Sequence, residues 1–491
     1  MFFSCISAWT LARYASWTAD QSHNSQQGGD PSLVGQVAEA LVSHMLDPHK
    51  KVQIATCSAM GVFVEAVGAL VTPYLEPIYK IFAQALQKYS TRSRLVLLDT
   101  MSVMAEYVGP AIGEGSIPGL YIPTLLRLWN DIAMHNPFDR SLLSLMECLG
   151  GSCVTCGLNY QPWALESFEL SMSTIEACTI MISHEDDLGD IDEDMTDPII
   201  CSIDLIDGLV EGMGSNFAAL VHGSSRFGPT FPNVLLSVAG HIVPGVRMSA
   251  FALVGDLARQ APTLIEAGLS QLLSEAVSSI DPMHSALCNN AVWAIGEVCV
   301  RCGENSEPLQ PHASELLASL IPLLMGNAVD VDGNEISLSG IKENAAATMG
   351  RLAIVNANFV APELGRFLTG WCDGMSKISD MNERHDAFRG FVLALRANPH
   401  SIQRTEMVVE NVITTILFAV LSWHIPTSEI PSDLLHGPYR FGEFPSKFTE
   451  LLTSLRQLLH DLKASSGEVW LEVDGSMPTN VKRLLKEVYY I

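Results

Sequence analysis

Asp99, Glu147 and Asp204 each stand four residues before the central position of an imperfectly repeated phrase, and Glu65 stands three after its own centre, on the same helical face. Asn289 and Trp293 fall seven and three residues before the centre of a later copy, completing an i, i+3, i+4, i+7 stripe. Asn344 is one residue off that stripe, and Asp256 and Trp9 lie a little to its side. Carboxylates at equivalent positions of successive helices suit pairing with Arg and Lys, and a Trp beside an amide accepts an apolar or cationic side chain. For any single acid a solvated helix face is the simpler account, and for Trp293 with Asn289 a core position. What favours a ligand is Asp or Glu three times running at one repeat position.

The elements that must position these residues are helices. SALCNNAVWAIGEVCVRCG, residues 285–303, carries Ala291, Ile295, Val298 and Cys302 at helical spacing, with Ala294 and Gly296 small enough for a neighbouring helix to come close. The same phrase returns as VQIATCSAMGVFVEAVG, SRLVLLDTMSVMAEYVG, SLLSLMECLGGSCVTCG, IICSIDLIDGLVEGMG, GVRMSAFALVGDLARQ and IKENAAATMGRLA, and more loosely as NERHDAFRGFVLALRA. Centred on Leu11, Val62, Val103, Gly151, Gly208, Gly255, Gly296 and Gly350, neighbouring copies lie 41 to 57 residues apart, the period of HEAT-type helical hairpins with loop insertions. A hairpin with one apolar side buries it only by stacking, so the expected fold is all-α, a right-handed α-solenoid whose second helices form a carboxylate-lined groove. The expected divisions are a solenoid over 1–423, an irregular Pro/Gly-rich insertion over 424–448 and a terminal helical cap over 449–491. HEDDLGDIDEDMTDP, residues 184–198, reads as a solvated acidic loop, and residues 327–339 as an inter-repeat loop lacking the ligand spacing of a calcium site.

Composition narrows the function. A formal charge of −26, from 28 Lys and Arg against 54 Asp and Glu, repels nucleic acid and anionic membranes and steers basic ligands inward. Eleven scattered Cys and the lack of an Asn-x-Ser/Thr sequon suit a reducing compartment. The apolar start, MFFSCISAWTLARYASW, has no basic head or small-residue cleavage site, so no signal peptide is expected, and Val412–Trp423 is too short to span a bilayer. Cys153/Cys156 and Cys299/Cys302 are C-x-x-C pairs in separate repeats without nearby His, better explained by packing than by zinc or redox chemistry. No nucleophile, phosphate-loop or metal motif occurs. The expectation is a non-enzyme without cofactor or metal, and with a basic, extended peptide as partner.

Through CISAWTLARYASW, VQIATCSAM, SLMECL, SIDLIDGLVEGMG, SAFALVGDLA, CNNAVWAIGE, IKENAAATMGRLA and DAFRGF, about the first 400 residues, the chain resembles the transportins, the karyopherin-β2 class within the importin-β superfamily. The resemblance implies the cargo-binding, C-terminal portion of a nuclear import receptor that shuttles between cytoplasm and nucleus and binds basic proline–tyrosine localisation signals. Carried over by motif, it implies that Trp293, Asn289 and Asn344 contact the upstream part of the signal, and that Asp204 and Asp256 pair with its basic residues. Glu65 and Asp99 would meet its central arginine region, with Trp9 and Arg13 at the edge of the proline–tyrosine pocket. Glu147 joins this set by repeat position alone. Ran-GTP is a partner of the full-length family, but its N-terminal arch is expected to be missing here, so release by Ran is not expected; nucleoporins are further candidates. Ala347 stands where the family tends to carry a larger apolar residue. His436–Tyr439, HGPY, lacks the basic stretch of a localisation signal. The rival reading is a HEAT scaffold of the phosphatase-regulatory type, binding folded partners through inter-repeat loops.

Overall fold

The computed structural model describes residues 2–23, 30, 32–183, 193–326, 338, 340–404, 409–425 and 440–491, and among these every regular element is helical. The chain forms two compact units, Met1–Leu264 and Ile265–Ile491.

In the first unit the helices are α1 (Phe2–Arg13), α2 (Ala15–His23), α3 (Leu33–Met45), α4 (Lys50–Val67), α5 (Leu75–Lys88), α6 (Thr91–Val108) and α7 (Ile117–Ala133). They continue as α8 (Ser141–Cys156), α9 (Gln161–Ser183), α10 (Glu193–Met213), α11 (Phe217–Gly223), α12 (Phe231–Ala239) and α13 (Pro244–Gln260). α1, α4, α6, α8, α10 and α13 stack in one row, and α3, α5, α7, α9 and α11 in a second. Helices of the two rows pair as antiparallel hairpins, so the unit is the expected α-solenoid of HEAT-type repeats.

The second unit repeats the plan. Its helices are α14 (Leu269–Ser278), α15 (Ser285–Cys302), α16 (Ala313–Met325), α17 (Ile341–Val355), α18 (Ala357–Val360), α19 (Leu364–Lys377), α20 (Met381–Ala397) and α21 (Val409–Leu421). α15, α17, α20 and the helix Thr449–Ser466 form one row; α14, α16, α19, α21 and the helix Glu468–Ser476 form the other.

The repeated phrase owes its final glycine to geometry. α4, α6, α8 and α15 end on Gly68, Gly109, Gly157 and Gly303, with φ of 51°, 69°, 52° and 57° and ψ near −120° to −145°. A Cβ strains that backbone, and each glycine still donates its N–H to the carbonyl four residues back. Glycines inside the row helices serve a different purpose, close approach. A Cβ built on Gly390 of α20 would lie 2.0 Å from the carbonyl oxygen of Gly350 on α17, which is backbone and cannot swing away. Gly390→Ala is therefore expected to force α17 and α20 apart and cost about 3 kcal/mol, read as a lowered urea midpoint with an unchanged slope.

Two expectations need correction. The acidic stretch does not stay irregular to Pro198, because residues 193–198 open α10. Negative charge such as that of Asp197 is favoured near a helix N-terminus, so charge density did not mark a loop there. Residues 184–192, the 327–337 stretch and HGPY lie outside the described residues. The apolar run at Val412–Trp423 was also a poor guide to membrane-spanning length. Lys50–Lys88, Thr91–Gly113 and Ser141–Ile182 are long and apolar enough to cross a membrane by length and composition. Lys50–Lys88 and Ser141–Ile182 are, however, broken by 3-10 turns at Gly68–Tyr74 and Gly157–Tyr160, and Thr91–Gly113 ends in one at Gly109–Gly113. Their buried residues, such as Phe63, Leu97 and Leu145, cover neighbouring helices in the stack.

Candidate functional site

In the first unit, three consecutive row helices bring three predicted carboxylates into mutual range. Asp99 on α6, Glu147 on α8 and Asp204 on α10 are exposed at their tips, yet burial raises the carboxyl of each above its ordinary value. Glu147 is raised further by the charges of Asp99 and Asp204 on either side. Asp204 is partly relieved by a hydrogen bond donated by Ser249 on α13. None of the three has an ion-pair partner among the described residues. A helix register that merely solvated these acids would not place them where they repel one another.

The row continues through a residue the repeat alignment passed over. Asp207 on α10 is raised well above the carboxylate range, first by burial and then by Asp256, Asp204 and Glu211. Its Oδ1 is buried without a hydrogen-bond partner. Asp256 on α13, half-buried, faces it and lies 3.5 Å from Arg259 of its own helix. Asp207 follows Asp204 by three residues and so shares its face; following a single repeat column hid it. A carboxyl raised in the folded state adds stability that is present below its unfolded value and lost as pH rises through the folded one. Asp207→Asn is accordingly expected to raise the melting temperature at pH 7.5, with the gain vanishing near pH 4, in a pair of thermal melts.

Glu65 is exposed on α4 and is not among the groups acting on Glu147 or Asp207. Trp9 and Arg13 meet on α1, which stacks on α4, with the guanidinium 5.2 Å from the indole centroid and Trp9 61% exposed.

The second unit holds the other predicted residues. Asn289 and Trp293 on α15 are half-buried, and the Asn344 side-chain amide on α17 donates to the Asn289 Oδ1 at 2.9 Å. Asn344, one position off the stripe in sequence, is thus its direct neighbour in space. Thr348 of α17 donates to the Val292 carbonyl at 2.9 Å, locking the helix pair that presents Trp293. Ala347 is buried at 2% exposure, packed within the α-helical stack. Gly296 does admit the neighbouring helix, since a Cβ there would lie 2.6 Å from Thr348 Oγ1.

Beside this pair lies a cluster that spacing did not single out. Arg351 of α17, 7% exposed, reaches Glu297 of α15 at 2.9 Å and Asp386 and Glu383 of α20 at 3.4 and 3.6 Å. Glu297, Arg351 and Asp256 all stand one residue after their repeat centres, a column that would have exposed the pattern. The C-x-x-C cysteines Cys153, Cys156 and Cys299 are buried and Cys302 half-buried, and burial pushes all four thiols up, the opposite of a reactive thiolate.

No family model matches the chain. It is, however, 28% identical to a transportin of Dictyostelium discoideum over 99% of its own length and 46% of that protein's. The chain is homologous to the transportins. It is also 30% identical to importin subunit beta-2 of Schizosaccharomyces pombe, covering 81% of this chain and 42% of that one. With human transportin-1 the identity is 28%, over 88% of this chain and 45% of the relative. The transportin-like chain thus spans under half the length of the relatives it matches. A crystal structure of importin beta superimposes with a TM-score of 0.55 at 14% identity, over 84% of this chain and 56% of that one, which speaks for the fold alone.

Proposed function

We propose that this chain is the cargo-binding part of a nuclear import receptor, and that the row of Asp99, Glu147, Asp204, Asp207 and Asp256 receives the basic stretch of an extended proline–tyrosine localisation signal. The supporting observation is a line of desolvated carboxylates on successive helices, of which Asp99, Glu147 and Asp204 lack any cation among the described residues. Like charges held together raise one another's proton affinity, and a bound Arg or Lys would reverse that shift and gain desolvated, charge-assisted contacts. An extended ligand presents one cation per helix step, which a folded surface does not. Trp293 with Asn289 and Asn344, and Trp9 with Arg13 and Glu65, would take the flanking apolar and proline–tyrosine parts. Shuttling between cytoplasm and nucleus and assembly with Ran-GTP and nucleoporins in the whole receptor belong to the same proposal.

Fluorescence polarisation with a labelled basic proline–tyrosine peptide tests it. The expected result is saturable binding that weakens more than tenfold between 50 and 300 mM salt and is weaker for Trp293→Ala. Binding only to folded proteins, surviving neither denaturation of the partner nor its replacement by the peptide, would instead support a scaffold.

A further inference from the structure

The second unit contains a buried cation with no carboxylate partner among the described residues. Arg384, in the first turn of α20, is 9% exposed, and no carboxylate among the described residues comes within ion-pairing distance of it. Its Nη2 donates to the Ser422 hydroxyl and, at 3.5 Å, to the Ser376 carbonyl, while its Nε is buried with no acceptor. The guanidinium lies 5.0 Å from the centroid of the Trp423 ring, which fixes its plane. Trp423 is 5% exposed, and its own indole N–H is also buried without an acceptor.

Both side chains line one cavity of about 360 Å³, walled by the end of α19, the start of α20 and Gly442–Glu443. The acids nearby are engaged elsewhere. Asp373 binds Lys342 and Lys377, Asp380 caps α20 through the N–H groups of Asn382 and Glu383, and Glu383 turns to Arg351. Glu443, on the far wall, is exposed and does not pair with Arg384. His424 lends no charge, because burial lowers its proton affinity and its ring nitrogens face the Gly442 carbonyl and the Tyr489 hydroxyl.

A buried guanidinium is costly unless an anion meets it, and Arg384 lines a cavity that offers it none among the described residues. We propose that this cavity is an oxyanion site, which takes a phosphate or carboxylate group carried on a side chain of a partner peptide, with Arg384 as the charge partner and the Trp423 ring holding the guanidinium in place. Its volume, at the small end for ligand pockets, suits one such side chain and not a whole cofactor. The site thus selects acidic or phosphorylated segments, opposite in sign to the carboxylate row of the other unit.

The test titrates the full chain with a phosphoserine decapeptide, its Glu and Ser counterparts and inorganic phosphate, at fixed ionic strength with chloride as control. Calorimetry and the melting temperature are read together. The expected result is binding of the phosphoserine and Glu peptides, no binding of the Ser peptide, and at least a tenfold loss in Arg384→Met. Arg384→Met, which removes the unmet charge at similar volume, is expected to melt no lower than the parent chain without ligand. A response to inorganic phosphate equal to that of the phosphopeptide would assign the same site to a free anion. No anion-dependent response in the parent chain, or one that persists in Arg384→Met, overturns the proposal; so does a melting temperature lowered by Arg384→Met, which would mean the guanidinium is already satisfied within the chain.

Discussion

Glu147→Lys combined with Asp204→Lys is expected to reduce affinity for a basic proline–tyrosine peptide at least a hundredfold. Each reversal removes an attraction and adds a repulsion at a desolvated position, on the order of 1–2 kcal/mol per site even after screening, and 1.4 kcal/mol is a tenfold change. The same pair makes an unusual control for itself. Glu147 is held up by Asp99 and Asp204, so replacing two of three neighbouring anions by cations relieves repulsion in the empty chain. The melting temperature should therefore hold or rise while binding is lost. A double variant that binds as tightly as the parent sinks the groove assignment, and one that unfolds shows that the acids were structural. Repeating the titration at high salt should narrow the gap between the two, because the lost term is electrostatic.

Arg351→Leu should have the largest effect on stability. It takes the guanidinium away from the carboxylate of Glu297, whose side chain is 8% exposed, and leaves Glu383 and Asp386 of the next helix without the cation they share. Breaking a buried ion pair from one side costs about 3–5 kcal/mol, against well under 1 kcal/mol for an exposed pair such as Lys80–Glu76. Denaturant unfolding of Arg351→Leu should show that loss, and Arg351→Leu with Glu297→Gln should recover most of it, because the amide needs no counter-ion.

These two sites were legible to different degrees. Helices, the repeat and its period follow from apolar spacing around a small central residue, which is a local property: each phrase states its own amphipathic face. Asp99, Glu147 and Asp204 were found because one register repeats them. Asp207 and Arg351 were missed because their roles depend on the neighbouring helix rather than on their own. Asp207 is defined by what Asp256 does across the α10–α13 contact, and Arg351 by acids on the helices before and after α17. Asn344 shows how small the gap is, since one residue of register separated it from the stripe while a 2.9 Å hydrogen bond joins it to Asn289.

The sequence by itself determined an all-helical stack, the transportin likeness and a surplus of negative charge on recurring helix faces. Only the tertiary structure decided which of those charges meet and which stand alone, because a carboxylate's proton affinity is set by the atoms a neighbouring helix brings within a few ångströms. That is why Asp207, which its own stretch of sequence does not set apart, is driven upward by burial and by Asp256 across the α10–α13 contact. It is also why Arg384, one cation among 28 in the sequence, emerges as the one that the fold has enclosed without an anion among the described residues.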